Sequence, residues 1–394
     1  MEKKTIYMDN AATTKVAKEV VEAMLPYYEE KFYNPSSVYD KSQSVKEDLE
    51  KARQDIANIL NCDPKEMFFT ACGTESDNWA IKGTAYAMKN KGKHLITSTI
   101  EHHAVLHSMK ALEKEGFEVS YVGVDADGII KLDELKKAIR PDTTLITIMA
   151  ANNEIGTIEP IKEIAKIAHE NNILFHTDAV QAFAHIPIDV KADDIDMLSV
   201  SAHKFNGPKG VGFLYLKKGI KINNFMDGGG QERNKRAGTE NVAGIVGMAI
   251  AAKIAVEHMK ERAEIEIKVR NHLIDRILKE IPYTKLNGSR EKRLPNNVNI
   301  SMEFIEGESM LLQLDFLGVC ASSGSACTSG SLDPSHVLLA IGVPHEKAHG
   351  SLRLTIDHTT TMEDADFVVD NLKEIVANLR EMSPLYADFI KNKK

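Results

Sequence analysis

The sequence predicts an α/β protein: a mostly parallel, seven-stranded sheet with helices on both faces, followed by a smaller α+β layer. Three observations carry this. From about Asp63 to Leu216, short apolar runs alternate with amphipathic stretches of helical period. A long helical pattern without proline then runs from Val242 to Ile281, and beyond it the alternation gives way to strand, helix, strand, helix. The chain, at 394 residues, is also longer than one hydrophobic core usually serves.

In order, the predicted strands of the large sheet are EMFFT, HLITST, EVSYVGV, TLITIMA, ILFHTDAV, DMLSV and VGFLYL. Near-continuous apolar runs of this length suit parallel strands buried on both faces. Between them lie a helix from Glu75, then HAVLHSMKALEKEG, KLDELKKAI and PIKEIAKIAHENN, whose apolar residues recur on one face. The second layer reads as NNVNISME (strand), GESMLLQLDFLG (helix), SLRLTID (strand) and MEDADFVVDNLKEIVANLREM (last helix), with the KNKK tail expected to fray. There is no internal repeat and no low-complexity linker.

Composition excludes several classes. Hydrophobic residues make up 43% and charged residues 27%, as in an ordinary globular protein. A formal net charge of -8 argues against nucleic acid as a partner. The start, MEKKTIYMDNAATT, has no apolar signal core, and no stretch approaches a membrane span. Four cysteines, Cys62, Cys72, Cys320 and Cys327, lack CxxC spacing. A cytoplasmic protein without disulfides is expected.

Polar residues gather where these strands end: Thr74, His102, Asn153, Asp178, and His203 with Lys204 in SAHKFNGPKGVG. Ligands of open α/β sheets bind beyond the carboxyl ends of the strands. A capping or buried polar residue explains any one of them; five together point to a cleft. A cleft lysine, an aspartate at a neighbouring strand end and a backbone nest in Cys72-Gly73-Thr74-Glu75-Ser76 suit pyridoxal phosphate. Its aldehyde condenses with an amine, its ring nitrogen needs an acidic partner, and its phosphate needs N–H groups at a helix start. Desolvation, with positive charge from His203 and the ring, is expected to activate the lysine.

Long ordered motifs carry a resemblance. They are YMDNAATT, NPSS, ACGTESDNWAIKG, EHHAVL, ANNEIGTI, HTDAVQ, SAHKFNGPKGVG, DGGGQERNKRAGTEN and SSGSACTSGSLDPSHV. With them the chain resembles the cysteine desulfurases of iron-sulfur cluster assembly, in the class-V aminotransferase group of fold-type I pyridoxal-phosphate enzymes. The resemblance implies a large cofactor-binding domain, expected over residues 16–259, and a small domain of 1–15 with 260–394 that carries a cysteine loop at about 321–333. It implies that Lys204 holds the cofactor covalently, that Asp178 pairs with the ring nitrogen, and that His102 stacks on the ring and moves protons. Asn153 and Gln181 would bond the phenolic oxygen and substrate region. Gly73, Thr74, Ser201 and His203 would hold the phosphate, with Thr239 completing the partner's site in a homodimer. Arg353 would take the carboxylate of L-cysteine, for which a planar fork is better suited than an ammonium.

Cys327 matches the family's sulfur acceptor, from which a persulfide passes to an iron-sulfur scaffold protein or another acceptor. A lone cysteine is most often a small buried hydrophobe. The run SSGSACTSGS, rich in small residues between Gly324 and Gly330, reads instead as a mobile loop. The chain departs from the family pattern at Tyr33, at VYDKS after NPSS, and at Asp357-His358. A selenocysteine lyase or another β-eliminating enzyme of the same fold needs no such cysteine, and a non-catalytic scaffold needs no Lys204, Asp178 and Arg353. HEKAH at 345–349 meets the HExxH pattern, but Pro344 and Gly350 leave it about one helical turn and no third ligand is evident, so no metal is expected. GPKGVG has the order of neither a Walker loop nor a dinucleotide fingerprint and reads as a turn.

Overall fold

The structure, a computed structural model, describes residues 4–323 and 334–393. Its centre is a seven-stranded sheet in the order Met67–Thr70, Gly212–Leu216, Met197–Ser201, Leu174–Asp178, Thr143–Thr147, His94–Ser98, Glu118–Val122. Gly212–Leu216 runs antiparallel to both neighbours, and the other pairings are parallel. The predicted mostly parallel sheet is therefore present. Gly212 sits where two backbones converge: a Cβ there would come within 2.4 Å of the Val200 carbonyl oxygen. Only glycine lets the returning strand lie so close.

Helices cover both faces. One core packs Leu49, Ile56 and Leu60 of the Asp40–Leu60 helix and Met248 and Ala252 of Val242–Glu257 against Ile146, Phe175, Val200 and Phe213 of the sheet. The opposite face packs Trp79 and Ile81 of the Gly73–Met88 helix and Val105, Met109 and Leu112 of His103–Lys114 on Leu95, Leu145 and Leu214. A further core joins Ile6 and Met8 near the N-terminus to Leu273 and Ile277, to Val298 and Ile300, and to Val369 and Leu372. It belongs to a three-stranded antiparallel sheet, Ser351–Thr355, Asn297–Met302 and Thr284–Leu286, backed by the Gly307–Phe316 and Met362–Glu381 helices.

Two expectations are corrected. The helical run from Val242 to Ile281 is two helices, Val242–Glu257 and Met259–Glu280, bent by 68° at His258. The first lies against the large sheet and the second packs with the three-stranded one, so the chain must turn between cores although no proline or glycine marks the place. The tail does not simply fray: Pro384–Asn392 is a helix with proline in its first turn, where no backbone donor is missed. Its Tyr386 and Phe389 pack on Tyr283 and Phe304, with ring centroids 4.8–6.3 Å apart.

Candidate active site

The strands end at one edge of the sheet, and beyond that edge lies a cavity of about 270 Å³. Gly73, Thr74, His102, Asn153, Asp178, Gln181, Ser201, His203, Lys204 and Arg353 all line it. Two sequence-predicted residues stand apart. Thr239 lines a separate cavity of about 110 Å³ with Thr70, Ala71 and Gly238. Cys327 lies outside the described residues.

Lys204 follows the Met197–Ser201 strand in a single 3₁₀ turn, Ala202–Lys204. Its Nζ donates to the carbonyl oxygens of Ala11 (2.6 Å) and Ala12 (2.9 Å), so the N-terminal DNAAT segment presents the amine to the cavity. His203 beside it is pushed down to about 4 by burial and by Lys204 and Lys209. It is neutral at pH 7, so the expected positive charge next to the lysine is not there; His203 supplies an uncharged wall.

Asp178 closes the Leu174–Asp178 strand, 4% exposed, with Oδ1 accepting the Val180 N–H at 2.9 Å. Burial raises its pKa to about 6, against the Val180 N–H and Lys204, which favour the charged form. A cation over this carboxylate would complete its ionisation. The nest is the start of the Gly73–Met88 helix, whose N-cap, Cys72, offers no side-chain bond to the first turn. Its leading N–H groups are available to an anion. Gly73 permits this geometry, since a Cβ there would sit 2.6 Å from Val180 Cγ2.

His102 is the N-cap of the His103–Lys114 helix: its Nδ1 accepts the Ala104 N–H at 3.2 Å. The neutral ring therefore carries its proton on Nε2. Burial, then Lys204 and the histidines His103, His336 and His107, push its pKa down to about 4. Arg353, 2% exposed in the Ser351–Thr355 strand, donates through Nη2 to Asp9 (3.0 Å) and through Nη1 to the Asn153 carbonyl (3.2 Å). Gln181 donates from Nε2 to the Ala11 carbonyl at 3.0 Å.

The donor set fits an aldehyde cofactor bearing a phosphate: an amine, a buried acid able to face a cationic ring, and an uncapped helix start share one cavity. Sequence reasoning missed Asp77, the Ala11 and Ala12 carbonyls and Met149, which also line the cavity or hold the lysine. An aspartate inside an otherwise apolar helical face was the available signal for Asp77. HEKAH forms one turn, His345–Ala348.

Comparison with known proteins defines the class. Residues 6–368 match the aminotransferase class-V family model, and the chain belongs to that family. Within it, the likeness is to cysteine desulfurases over the full length. A Clostridium botulinum (strain Hall) protein named cysteine desulfurase IscS is 56% identical over 393 residues, 99% of each chain. A solved NifS-like protein superposes with a TM-score of 0.90 at 40% identity, over 95% of this chain and 100% of that one. The structure of SspA in complex with cysteine gives a TM-score of 0.80 at 38% identity, over 91% and 100%. The family and fold expected from the motifs hold.

Proposed function

We propose that this protein is a pyridoxal-phosphate cysteine desulfurase that converts L-cysteine to L-alanine and passes the sulfur to Cys327. The observation that carries the reading is the meeting of Lys204, Asp178, Arg353 and the uncapped helix start at Gly73 in one cavity. When bound, the cofactor supplies an electron sink conjugated to the substrate Cα.

Lys204 would anchor the cofactor through its amine, and the same amine, when free, would take the substrate Cα proton and return it. Asp178 would hold the ring nitrogen's proton. Thr74, Ser201, His203 and the Gly73 nest would hold the phosphate, with Asn153 and Gln181 on the phenolic-oxygen side. His102 would cover the cofactor ring and present Nε2–H, a donor that stays neutral at pH 7, for proton exchange with the substrate thiol. Arg353 binds the substrate carboxylate with N–H groups left over from Asp9 and Asn153. The Cys327 thiolate attacks the substrate sulfur: an S–S bond forms, the Cβ–S bond breaks, and its electron pair and a proton end on the carbon that becomes the alanine methyl. The product is a Cys327 persulfide, passed on to an iron-sulfur scaffold or another acceptor.

We further propose a division into residues 16–259 and 1–15 with 260–394, and a cytoplasmic homodimer in which Thr239 completes the partner's phosphate site. The exposed Leu25, Tyr28, Phe32 and Val38, with Phe225 and Met226 in the segment leading to Thr239, support a covered surface there. Lys204→Ala tests the core of the reading. The variant is expected to lose both the visible absorption of the lysine-bound cofactor and cysteine turnover; normal turnover would reject Lys204 as the anchor.

A further inference from the structure

One helical turn beyond Gly73, a second carboxyl group stands in the cavity wall. Asp77 is 1% exposed, lines the cavity with Asp178, and its Oδ1 has no hydrogen-bond partner. The groups that face it come from four elements: Asp178 and His176 on the Leu174–Asp178 strand, Ser199 on the next strand, Cys72 before its own helix, and Glu101 beyond His94–Ser98. None of these is a cation at neutral pH. His176 Nε2 lies 3.7 Å from Asp77 Oδ1, outside hydrogen-bond range, and burial pushes that imidazole down to about 3.

His176 is the centre of a buried polar string. Its Nδ1 pairs with Thr147 Oγ1 at 2.7 Å and its Nε2 with Ser199 Oγ at 2.9 Å, and the Ser199 hydroxyl also reaches the Asp77 carboxyl, a contact that by itself favours the charged form. A neutral imidazole donates from one nitrogen and accepts at the other, so the string runs in one direction at a time. Either direction is complete: a protonated Asp77 donates to Ser199, Ser199 to Nε2 and Nδ1–H to Thr147, whereas an ionised Asp77 accepts from Ser199, Ser199 from Nε2–H and Nδ1 from Thr147. The string serves both states of Asp77, and burial without a cation decides between them.

We propose that Asp77 is a positioning residue for Asp178, a neutral acid because it is buried beside that carboxylate with no cation in reach, its proton placed on Ser199, so that Asp178 is the single negative charge beneath the cofactor ring. Two carboxylates in one dry wall do not both ionise, and the one with a nearby cation ionises first. Lys204 and the Val180 N–H favour the charged form of Asp178, whereas burial and Asp178 itself hold Asp77 well above the usual carboxylate range. The inference rests on Asp178 as the ring-nitrogen partner.

The test uses full-length protein stripped of cofactor. Pyridoxal phosphate binding is followed by absorbance titration at neutral pH, and infrared difference spectra are taken before any cofactor is added. Asp77→Asn imitates the neutral acid and is expected to bind within about twofold of the parent; Asp77→Ala strands Ser199 and is expected to bind about tenfold or more weakly. The parent-minus-Asn infrared difference is expected to contain a protonated-carboxyl stretch. Its absence, or a loss of about tenfold in Asp77→Asn, would mean an ionised Asp77 and overturn the proposal, as would parent-like binding by Asp77→Ala. Should the Asp77 variants not fold, Ser199→Ala breaks the string with the carboxyl in place: severalfold weaker binding is expected, and unchanged binding overturns the proposal. Asp178→Asn separates the two readings, because parent-like binding there would reject Asp178 as the ring partner whatever the infrared band shows.

Discussion

Arg353→Lys tests the proposed recognition of the substrate carboxylate. Arg353 spends one N–H on Asp9 and one on the Asn153 carbonyl, so both ends of its fork are fixed before substrate arrives. Its Nε is buried with no partner in the structure, which leaves the remaining Nη hydrogens as the donors that can meet a carboxylate. Lysine replaces two parallel, preoriented bonds by one point charge on a flexible stem. Losing one charge-assisted hydrogen bond costs about 1.5–3 kcal/mol. At about 1.4 kcal/mol per factor of ten, kcat/KM should fall about 10- to 150-fold, mainly through KM. The assay is alanine release against cysteine concentration, with the cofactor's visible absorption and the thermal unfolding midpoint as controls for an intact site. An unchanged KM and kcat would show that another group holds the carboxylate; loss of the absorption band would show that Arg353 shapes the cofactor site itself.

Three further outcomes follow from other parts of the molecule. Cys327→Ser should bind pyridoxal phosphate and L-cysteine like the parent but form no persulfide and release alanine far more slowly; alanine at the parent rate would make the enzyme a lyase. Arg53→Met leaves Glu232 as a buried charge, since Arg53 holds it by bonds of 2.7 and 2.8 Å and both side chains are 3% exposed; a loss of about 3–5 kcal/mol is expected in denaturant unfolding, and a shift within error would refute the clasp. The same clasp holds Glu232, Arg233 and Asn234, three consecutive residues at positive φ, in the segment leading to Thr239. Burial raises the pKa of Glu159 from 4.5 to about 8, and its Oε1 has no partner. The folded state then binds a proton that the unfolded state has released, so Glu159 costs stability as pH rises from about 4.5 to 8. Glu159→Gln should gain thermal stability relative to the parent across that window, and a pH-independent difference would show that Glu159 is ionised.

Where the sequence was legible, the physics was local. Strands buried on both faces are continuous apolar runs, and the polar residues that follow them fall at one sheet edge because parallel strands share a direction. Lys204, Asp178 and His102 were readable for that reason, and Arg353 only through motif resemblance, since its distance in sequence from Asn153 and Asp9 hides their contact. The bend at His258 carries no breaker residue. It arises because an apolar helix that covers the large sheet must hand over to an amphipathic one that covers the small sheet, and that demand comes from tertiary packing.

The harder lesson lies in charge. A histidine beside a lysine reads as added positive potential, yet His203, His102 and His176 are all pushed down to about 3–4 by the burial that makes the cleft. The same desolvation drives Asp77 and Asp178 upward. In the cavity the groups that can carry positive charge are therefore Lys204 and Arg353, the latter paired with Asp9, while the proposed neutral Asp77 leaves Asp178 as the one carboxylate of the wall. Such a site discriminates by placing few charges in a dry space, where each is worth more than in water. A zwitterionic amino acid with a carboxylate for Arg353 and an amine for the cofactor satisfies that pattern, whereas a second anionic group on the substrate would find no partner beside His102 and His203.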